Sequence, residues 1–541
     1  MCFEGGIAMK ITKNPILSGF YPDPSVCGVM KRDEHGKITD VDYYLVNSSF
    51  GYAPGVPIFH SKNLQDWTQL GHVLERPEQL KLDGAGISEG IYAPTLRYHN
   101  EKFYMISTNV SGGGNFYVTA DAPQGPWSEP VYLENAPGID PSLYFEGDTC
   151  YYVGQRTKEN AEYFGDCEIW MQELDPEQGK LTGGVWVLWD GFAKHAIWPE
   201  GPHLYQKGDY YYLLIAEGGT EYSHSICVAR SRKITGPYEP CPNNPIFTHR
   251  HLGHGAKIQN AGHGDLIETP EGDWYMVMLA TRPMEGYAPL GRETFLAEVA
   301  WEDDWPVINP GVGMLQEGMK PEGREELEWA EVLEWTEPLD LRCLFYGNSE
   351  RKRYAIKELP EGNWIELKAG SMDFGKKESL TYIGIRVTAK EFSVKTRMGY
   401  CSQEGEEAGL VYLYDERNHV KLVVRRNECR EVELWVKITE NGVERCVRTM
   451  AGHMLETGKE KPKGPKGHLE EMYELELSLS GLQLICKANG LTVGEVDVRK
   501  LTSEGVGGFV GCTMGIYAGS ENADNKKAGS SARFSGLTLR Y

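Results

Sequence analysis

The sequence lacks any run of about 18 consecutive apolar residues, so no membrane-spanning helix is expected. Positive charge is also scarce, since 55 Lys and Arg stand against 78 Asp and Glu and the formal net charge is −23. An acidic surface repels the phosphates of nucleic acids and is typical of a solvated protein face. Neither a membrane nor a nucleic acid is therefore an expected partner.

Paired cysteine spacings and a leader segment are missing as well. The twelve cysteines include no Cys-x-x-Cys motif, so reduced thiols are predicted and neither disulfides nor a zinc site is expected. The start, MCFEGGIAMKITKNPIL, has no basic segment followed by an apolar one, so we expect no signal peptide and a cytoplasmic location. P-loop and His-Glu-x-x-His motifs are absent, which argues against nucleotide and metalloprotease chemistry.

Aromatic residues and glycines are abundant, and together they favour short strands joined by tight turns. One strand type recurs five times: VDYYLVNSS (41–49), EKFYMIST (101–108), GDTCYYVG (147–154), GDYYYLLIAEGG (208–219) and GDWYMVML (272–279). The starts lie about 45 to 65 residues apart, a spacing that suits a four-stranded propeller blade with variable loops. The repeats predict a five-bladed β-propeller.

A short polar or Pro/Gly element precedes each repeat. These elements are PDPSV (22–26), YAPTL (92–96), IDPSL (139–143), PEGPHL (199–204) and GHGDL (262–266). They are interpreted as the starts of the innermost strands, which meet at one end of the propeller axis. Asp23, Asp140 and Glu200 would then occupy the same position in their blades and converge on one axial pocket, together with His263 and Asp265 from the fifth blade. Proline after each Asp predicts an extended Asp backbone, although a single Asp-Pro-Ser is equally consistent with a plain turn.

Three converging carboxyl groups favour hydrolysis of a glycosidic bond. That reaction needs one ionised carboxylate to activate water and one protonated carboxyl to protonate the leaving oxygen. A third nearby carboxylate raises the pKa of the acid by charge repulsion. Asp23, Asp140 and Glu200 supply these groups, and Trp198 and Pro199 before Glu200 predict an apolar wall that favours its protonated form.

Other residues fit sugar recognition, each with a structural alternative. Arg292 could donate a fork of hydrogen bonds to hydroxyl groups or form a structural ion pair. His263, between glycines, could bind sugar, bind an axial metal ion, or be a buried core histidine. Four aromatic residues are candidate stacking walls or core residues: Phe50, Tyr92, Trp170 and Trp198.

A second module follows the propeller repeats. Residues 10–318 are assigned to the propeller and residues 345–541 to a second domain. The charged segment between them, residues 319–344, is interpreted as a linker, either a connector or a wrapping strand with a short helix. In that last part, alternating hydrophobic runs are separated by turn signals every about 8–15 residues, as in a β-sandwich. The fold class is thus all-β, a five-bladed β-propeller followed by a jelly-roll-like C-terminal β-sandwich. Two segments, 458–468 and 519–532, are predicted to be mobile surface loops.

The chain also resembles a known family. The motifs NPILSGFYPDPSV, GVPIFHSKNLQDW, IYAPTLRY, IDPSLYF, EGPHLY, AEGGT, GHGDL and GRETFL are similar to those of glycoside hydrolase family 43, with the closest likeness to its two-domain β-xylosidases and α-L-arabinofuranosidases. The resemblance implies a five-bladed propeller, an inverting mechanism and no required cofactor. It also implies that Asp23 is the general base, Glu200 the general acid and Asp140 the residue that tunes and orients the acid.

The resemblance further implies a set of substrate-binding residues: Phe50, Tyr92, Ala93, Trp170, Thr220, His263 and Arg292. A Ca²⁺ ion on the propeller axis near His263 is implied by some members, and the sandwich is expected to close the pocket from one side. The chain departs from the family pattern at Gly51, Ala53 and Tyr92, where relatives carry larger residues, and these departures are expected to line the pocket. Whether the protein forms a homo-oligomer is left open.

The predicted function is exo-acting hydrolysis that removes terminal α-L-arabinofuranose or β-D-xylose from xylan- or arabinan-derived oligosaccharides. The alternatives are an endo-acting arabinanase-type hydrolase and a non-catalytic carbohydrate-binding propeller. The sandwich argues against the first, because an endo-acting site needs an open groove. The carboxylate set argues against the second, because a lectin has no use for three converging acids.

Overall fold

The computed structural model describes residues 11–318, 330–347, 353–360, 362–376, 380–427, 429, 431–451, 471–521 and 531–541. Of the two predicted surface loops, 458–468 lies wholly and 519–532 mostly outside these ranges. Strands dominate the described chain, and its helices are single turns at Pro77–Leu80 (α1) and Ser503–Val506 (α2), with a 3₁₀ turn at Arg250–Leu252. Within these ranges no helix has the length and hydropathy needed to cross a membrane.

Five antiparallel sheets of four strands follow one another along the chain. The first two are β1 (Ser25–Arg32), β2 (Ile38–Val46), β4 (Gly55–Ser61) and β5 (Thr68–Leu74), then β6 (Ile91–His99), β7 (Lys102–Asn109), β8 (Gly114–Ala120) and β9 (Val131–Tyr132). The third is β10 (Ile139–Glu146), β11 (Thr149–Thr157), β12 (Cys167–Asp175) and β13 (Lys180–Trp189). The last two are β14 (Glu200–Lys207), β15 (Tyr210–Glu217), β16 (Ser225–Ser231) and β17 (Glu239–Pro240), then β18 (Gln259–Glu268), β19 (Trp274–Thr281), β20 (Glu293–Glu302) and β21 (Trp305–Ile308).

The first strand of each sheet packs against the first strands of neighbouring sheets, as β1 does against β6 and β18. This is the arrangement of a five-bladed propeller, so the prediction from the repeats is confirmed. The recurring aromatic runs form the second strands, β2, β7, β11, β15 and β19, whose alternate side chains fill the space between blades. The polar elements before them form the ends of the inner strands that meet around the axis.

The N-terminal segment closes the ring of blades. Asn14 exchanges two hydrogen bonds with the backbone of Leu296 in β20, of 2.9 and 3.0 Å. Leu17 forms a β-bridge with Thr294 on the same strand. The residues just before blade one are thereby fixed to blade five, which holds the two ends of the ring together.

Two stacked sheets form the C-terminal domain, as the sandwich prediction required. The first contains β22 (Ala330–Leu333), β24 (Tyr354–Leu359), β25 (Gly362–Lys368), β28 (Glu391–Tyr400), β33 (Glu471–Ser480), β34 (Gln483–Ala488), β35 (Leu491–Asp497), β37 (Ser531–Phe534) and β38 (Leu537–Arg540). The second contains β26 (Gly370–Ser371), β27 (Tyr382–Arg386), β29 (Glu406–Asp415), β30 (Asn418–Arg426), β31 (Val432–Glu440), β32 (Val443–Ala451) and β36 (Thr513–Ser520). Strand β22 falls in the predicted linker and pairs with the last strand, β38.

The two domains share one apolar core. Phe20 and Phe50 of the propeller belong to the same buried cluster as the interior of the sandwich. The short strands β3 (Tyr52–Ala53) and β23 (Phe345–Tyr346) pair across the boundary. Arg386 of the sandwich donates a 3.0 Å hydrogen bond to the Phe20 carbonyl and lies 4.6 Å from the Phe20 ring centre. Because core packing is close, the sandwich is held in one position over the end of the propeller axis.

Candidate active site

Each of the five polar elements carries one residue in left-handed backbone conformation, followed directly by Pro or Gly. The φ angles are 51° at Asp23, 21° at Ala93, 53° at Asp140, 58° at Gly201 and 45° at His263. The predicted extended backbone at the two Asp residues is therefore wrong: a following proline biases the backbone toward the extended region, but Asp is one of the residues that tolerate positive φ. Positive φ in non-glycine residues is uncommon and clusters at functional sites.

In the fourth blade the left-handed residue is Gly201, so Glu200 lies one residue before the position that Asp23 and Asp140 occupy in their blades. The expectation that all three carboxylates occupy the same position in their blades is thus wrong for Glu200. A register shift between Glu200 and His203 marks a bulge at the start of β14. A bulge re-aims the neighbouring side chains, and Glu200 is influenced by the charges of Asp140 and Asp23 in spite of the offset.

Asp23 is held in the ionised form. Burial alone would raise its pKa, but the charges of Arg292 and His263 and a hydrogen bond from Ser48 outweigh burial, so the pKa lies below its usual value. Arg292 Nη1 donates to Asp23 Oδ1 at 3.1 Å, and Ser48 Oγ donates to Oδ2 at 2.6 Å. This carboxylate can accept a proton from water at neutral pH.

Glu200 and Asp140 have the opposite character. Burial, followed by the charges of Asp140 and Asp23, raises the pKa of Glu200 well above its usual value. Burial also raises the pKa of Asp140 to about 6, against the opposing charge of His263, whose Nδ1 lies 4.0 Å from Asp140 Oδ2. The surroundings thus lower the pKa of Asp23 and raise the pKa of Glu200, which is the pattern found in pairs of carboxyl groups that act as base and acid.

Three aromatic rings form a wall beside these carboxyl groups. Phe50 and Tyr92 meet edge to face at a centroid distance of 5.4 Å, and Phe509 stacks on Phe50 at 6.5 Å. Phe509 comes from the sandwich, is 37% exposed, and accepts a 3.1 Å hydrogen bond at its backbone carbonyl from Arg292 Nη2. The sandwich therefore covers one side of the pocket, as the family resemblance implied.

Phe509 is the residue that reasoning from the sequence missed. Its loop is fixed to both domains: Ser88 Oγ of the propeller accepts a hydrogen bond from the Phe509 amide at 3.0 Å, and the hydroxyl of Tyr414, in β29 of the sandwich, donates to the Gly507 carbonyl at 2.5 Å. Ser88 lies in Gly-Ile-Ser-Glu-Gly, which matches the lettering of a hydrolase nucleophile motif, but it sits in a turn rather than between a strand and a helix. The glycine pair before Phe509 was the available signal, since it allows close approach between domains.

The remaining predicted binding residues divide into two groups. Ala93 is buried beside Tyr92, and Thr220 is half-buried, one residue after Gly219, which lies against the Trp198 ring. Trp170, in contrast, is 1% exposed in the core of blade three, where its ring packs 4.9 Å from that of Tyr152. Trp170 is on the third strand of its blade, away from the axis, so its predicted substrate contact is wrong.

Asp265 belongs to a separate layer below the pocket. It is fully buried and accepts hydrogen bonds from Arg97 Nη1 at 2.9 Å, Ser25 Oγ at 2.7 Å and the Tyr205 hydroxyl at 2.6 Å. Burial would raise the pKa of Asp265, but the charge of Arg97 and these hydrogen bonds outweigh burial and hold the pKa well below its usual range. Asp265 ties blades one, two, four and five together rather than joining the carboxyl groups of the pocket.

Two departures from the family pattern lie outside the pocket, against expectation. A Cβ atom at Gly51 would stand 2.5 Å from the Gly86 carbonyl oxygen, so Gly51 packs directly on backbone. Ala53 pairs with Phe345 across the domain boundary. Only the third departure, Tyr92, belongs to the aromatic wall, and there its hydroxyl donates to the Ser88 carbonyl at 2.7 Å and burial raises its pKa to about 12.

The side chains around His263 do not form a calcium cage. Its Nδ1 faces Asp23 and Asp140 at 3.7 and 4.0 Å. Across the parts of the chain that the structure describes, no three His, Cys, Asp or Glu side chains are grouped to hold a metal ion. Ca²⁺ takes about six to eight oxygen ligands, so no step below is assigned to a metal, and the axial calcium remains a prediction.

Comparison with known proteins agrees with this geometry. The family model "Glycosyl hydrolases family 43" matches residues 12–306, and "Beta xylosidase C-terminal Concanavalin A-like domain" matches residues 335–538. A xylosidase/arabinosidase of Butyrivibrio fibrisolvens is 44% identical over 532 residues, which cover 96% of this chain and 98% of the relative. The non-reducing end alpha-L-arabinofuranosidase BoGH43B of Bacteroides ovatus is 35% identical, with 96% and 93% covered.

Solved structures show the same architecture over nearly the whole chain. Bacteroides ovatus GH43B superimposes with a TM-score of 0.82 at 34% identity, covering 98% of this chain and 99% of that one. A xylan beta-1,4-xylosidase from Bacillus halodurans superimposes with a TM-score of 0.82 at 30% identity, with 98% and 100% covered. The likeness therefore includes both domains and their boundary.

Proposed function

The chain belongs to glycosyl hydrolase family 43, and we propose that it is an exo-acting, inverting enzyme that releases terminal α-L-arabinofuranose and β-D-xylose from xylan- or arabinan-derived oligosaccharides. The observation that carries the proposal is the contrast between two buried carboxyl groups in one pocket. Asp23 is paired with Arg292 at 3.1 Å and has a lowered pKa, whereas the pKa of Glu200 is raised well above its usual value.

Asp23 acts as the general base. Its ionised carboxylate removes a proton from water as the water attacks the anomeric carbon of the terminal sugar, on the face opposite the leaving group. Ser48 and Arg292 bind the two oxygens of Asp23 and hold the carboxylate plane in place. Ordering the base before the reaction removes an entropic cost from the transition state.

Glu200 acts as the general acid. Its raised pKa favours the protonated form, which donates its proton to the glycosidic oxygen as the bond to the anomeric carbon breaks. Asp140 supports this role because its negative charge raises the Glu200 pKa. Asp140 is itself oriented by the Gly201 backbone amide, which follows Glu200 directly.

The proposed exo mode rests on the aromatic wall and the covering loop. Phe509 lies on Phe50 and Tyr92 and is bound to Arg292, which closes one side of the space above the carboxyl groups. A chain that continued past the terminal sugar in that direction would collide with the sandwich. This closure favours a pocket for a single terminal sugar over the open groove of an endo-acting arabinanase.

Release of both pentoses is supported by the relative that is 44% identical over 532 residues, a xylosidase/arabinosidase. The proposal also places the enzyme in the cytoplasm, where it degrades imported fragments, and cell fractionation tests that part separately. The direct test is side-by-side hydrolysis of nitrophenyl β-D-xylopyranoside and α-L-arabinofuranoside, with Asp23→Asn as the inactive control. Cleavage of either supports a pentosidase, and a ratio of kcat/KM above about tenfold identifies the primary sugar. Cleavage of neither overturns the proposal.

A further inference from the structure

Phe164 is the most exposed large hydrophobic side chain in the part of the chain that the structure describes, at 84%. Its ring meets the ring of Trp198 edge to face, with a centroid distance of 5.1 Å and an interplanar angle of 89°. Ile197, the neighbour of Trp198, is also 47% exposed. Exposed aromatic surface is costly in water, and a contiguous apolar patch on a protein surface commonly marks a binding site.

The loop that carries Phe164 is held firmly. Lys158 Nζ forms an ion pair with Asp166 at 2.8 Å, which joins the two ends of the loop. It also forms an ion pair with Asp190 at 3.0 Å, which joins the loop to the segment after β13. The Tyr163 hydroxyl donates to the Ala196 carbonyl at 2.9 Å. Phe164 is therefore exposed on a loop that ion pairs and a hydrogen bond hold in place.

The same loop is joined to the segment that carries the general acid. The Trp198 amide donates to the Gly165 carbonyl at 2.9 Å, and a Cβ atom at Gly165 would stand 2.8 Å from Ile197 Cγ2. Trp198 has a φ of 53° and precedes Glu200 by two residues. A positive φ strains the backbone of a bulky residue, and such strain clusters at functional sites.

The position of Glu200 determines which part of the substrate meets this surface. A general acid protonates the oxygen of the departing group, so the departing sugar must lie on the side of Glu200. Phe509, Phe50 and Tyr92 take up the other aromatic wall. Trp198, two residues before Glu200, and Phe164 beside it form the aromatic surface that is joined to the segment of the acid.

We propose that Trp198 and Phe164 form the binding site for the sugar on the leaving side of the scissile bond, a pyranose whose apolar face packs on the two rings. This inference rests on the proposed function and adds the substrate class on the leaving side to it. Aromatic faces carry negative charge density, which attracts the slightly positive C–H groups of a sugar ring. The enzyme consequently prefers pentoses attached to a pyranose backbone over those attached to small leaving groups.

The test compares two substrates with the same terminal sugar. Xylobiose has a pyranose leaving group, and the xylosyl fluoride whose anomeric configuration the wild type cleaves has none. In Phe164→Ala, the ratio of kcat/KM for xylobiose to that for the fluoride is expected to fall by about five- to tenfold. Phe164→Trp should restore the ratio, because it returns an aromatic face. Phe192→Ala is the matched control, since Phe192 is another exposed phenylalanine, 40% exposed, in the neighbouring segment.

An unchanged ratio in Phe164→Ala, or an equal fall in Phe192→Ala, overturns the inference while leaving the proposed function intact. Absence of wild-type activity on all pentosides overturns the proposed function itself. Misfolding is excluded by comparing thermal unfolding curves, which the substitution of an 84% exposed side chain should not shift. If the wild type cleaves the nitrophenyl arabinofuranoside but not the xylopyranoside, arabinofuranosyl-xylobiose replaces xylobiose and arabinofuranosyl fluoride replaces xylosyl fluoride.

Discussion

The guanidinium of Arg292 joins the proposed base to the other domain: Nη1 donates to Asp23 Oδ1 and Nη2 donates to the carbonyl of Phe509, each at 3.1 Å. Arg292 lies just before β20 of blade five, Asp23 just before β1 of blade one, and Phe509 on a loop of the sandwich. A single side chain therefore couples the charge of the base to the closure of the pocket.

Replacing Arg292 should change both the rate and the pH dependence. Its charge lowers the pKa values of Asp23, Asp140 and Glu200, so removing the charge raises all three. In Arg292→Gln, kcat/KM should fall by about 10²- to 10³-fold, and both limbs of its pH profile should move to higher pH. Arg282→Gln, at an ion pair with Glu293 outside the pocket, is the control. Limbs that stay in place would contradict the assigned electrostatic role.

Asp140 should control the alkaline limb in particular. Its negative charge raises the pKa of Glu200, so Asp140→Asn lowers that pKa and Glu200 loses its proton at lower pH. The alkaline limb of kcat/KM should therefore move to lower pH, while the acid limb, set by Asp23, should change less. Asp148→Asn, an exposed carboxylate on the turn between β10 and β11, is the matched control. An alkaline limb that does not move would remove Asp140 from this role.

Phe509→Ala should open the pocket toward the sandwich. The variant loses ring contacts with Phe50 and Tyr92 but keeps the backbone hydrogen bond to Arg292. Loss of one partly exposed aromatic contact should raise KM for the nitrophenyl pentoside about tenfold, with a smaller effect on kcat. Val510→Ala changes the adjacent buried residue and tests whether loop packing alone matters. Equal effects of both substitutions on KM would contradict a direct contact between Phe509 and the sugar.

Asp265→Ala should destabilise the propeller, because it leaves the Arg97 guanidinium buried without its carboxylate. The expected loss is about 3–5 kcal/mol of unfolding free energy in denaturant titrations at pH 7. Because the folded pKa of Asp265 is lowered, its contribution is present above the ordinary carboxyl pKa and is lost as the pH falls through the folded value. Asp209→Ala breaks an exposed pair with Arg232 and should change little. Similar losses in both variants would contradict the axial role of Asp265.

The blade count and the identities of the carboxyl groups could be predicted from the sequence because each blade repeats one aromatic strand and one polar strand start. The backbone at Asp23 and Asp140 could not, because the rule for residues before proline favours extended backbone, and these two residues are exceptions that only the folded structure shows. Trp170 was misplaced for a related reason: its composition suits a stacking wall, and only the strand order shows that it lies away from the axis. Phe509 is separated by more than 400 residues from the Ser88 that binds it, and no local pattern joins them.

In the proposed mechanism Glu200 donates the proton and Asp23 activates the water, and the dependence of the rate on the leaving group separates these two roles. For Glu200→Gln, kcat/KM should fall by about 10²- to 10⁴-fold on xylobiose, whose departing oxygen needs a proton. The fall should be much smaller on a dinitrophenyl pentoside, whose leaving group departs without one. Asp23→Asn should lose activity on both substrates alike. Equal losses of Glu200→Gln on the two substrates, or an active Asp23→Asn variant, would contradict the account.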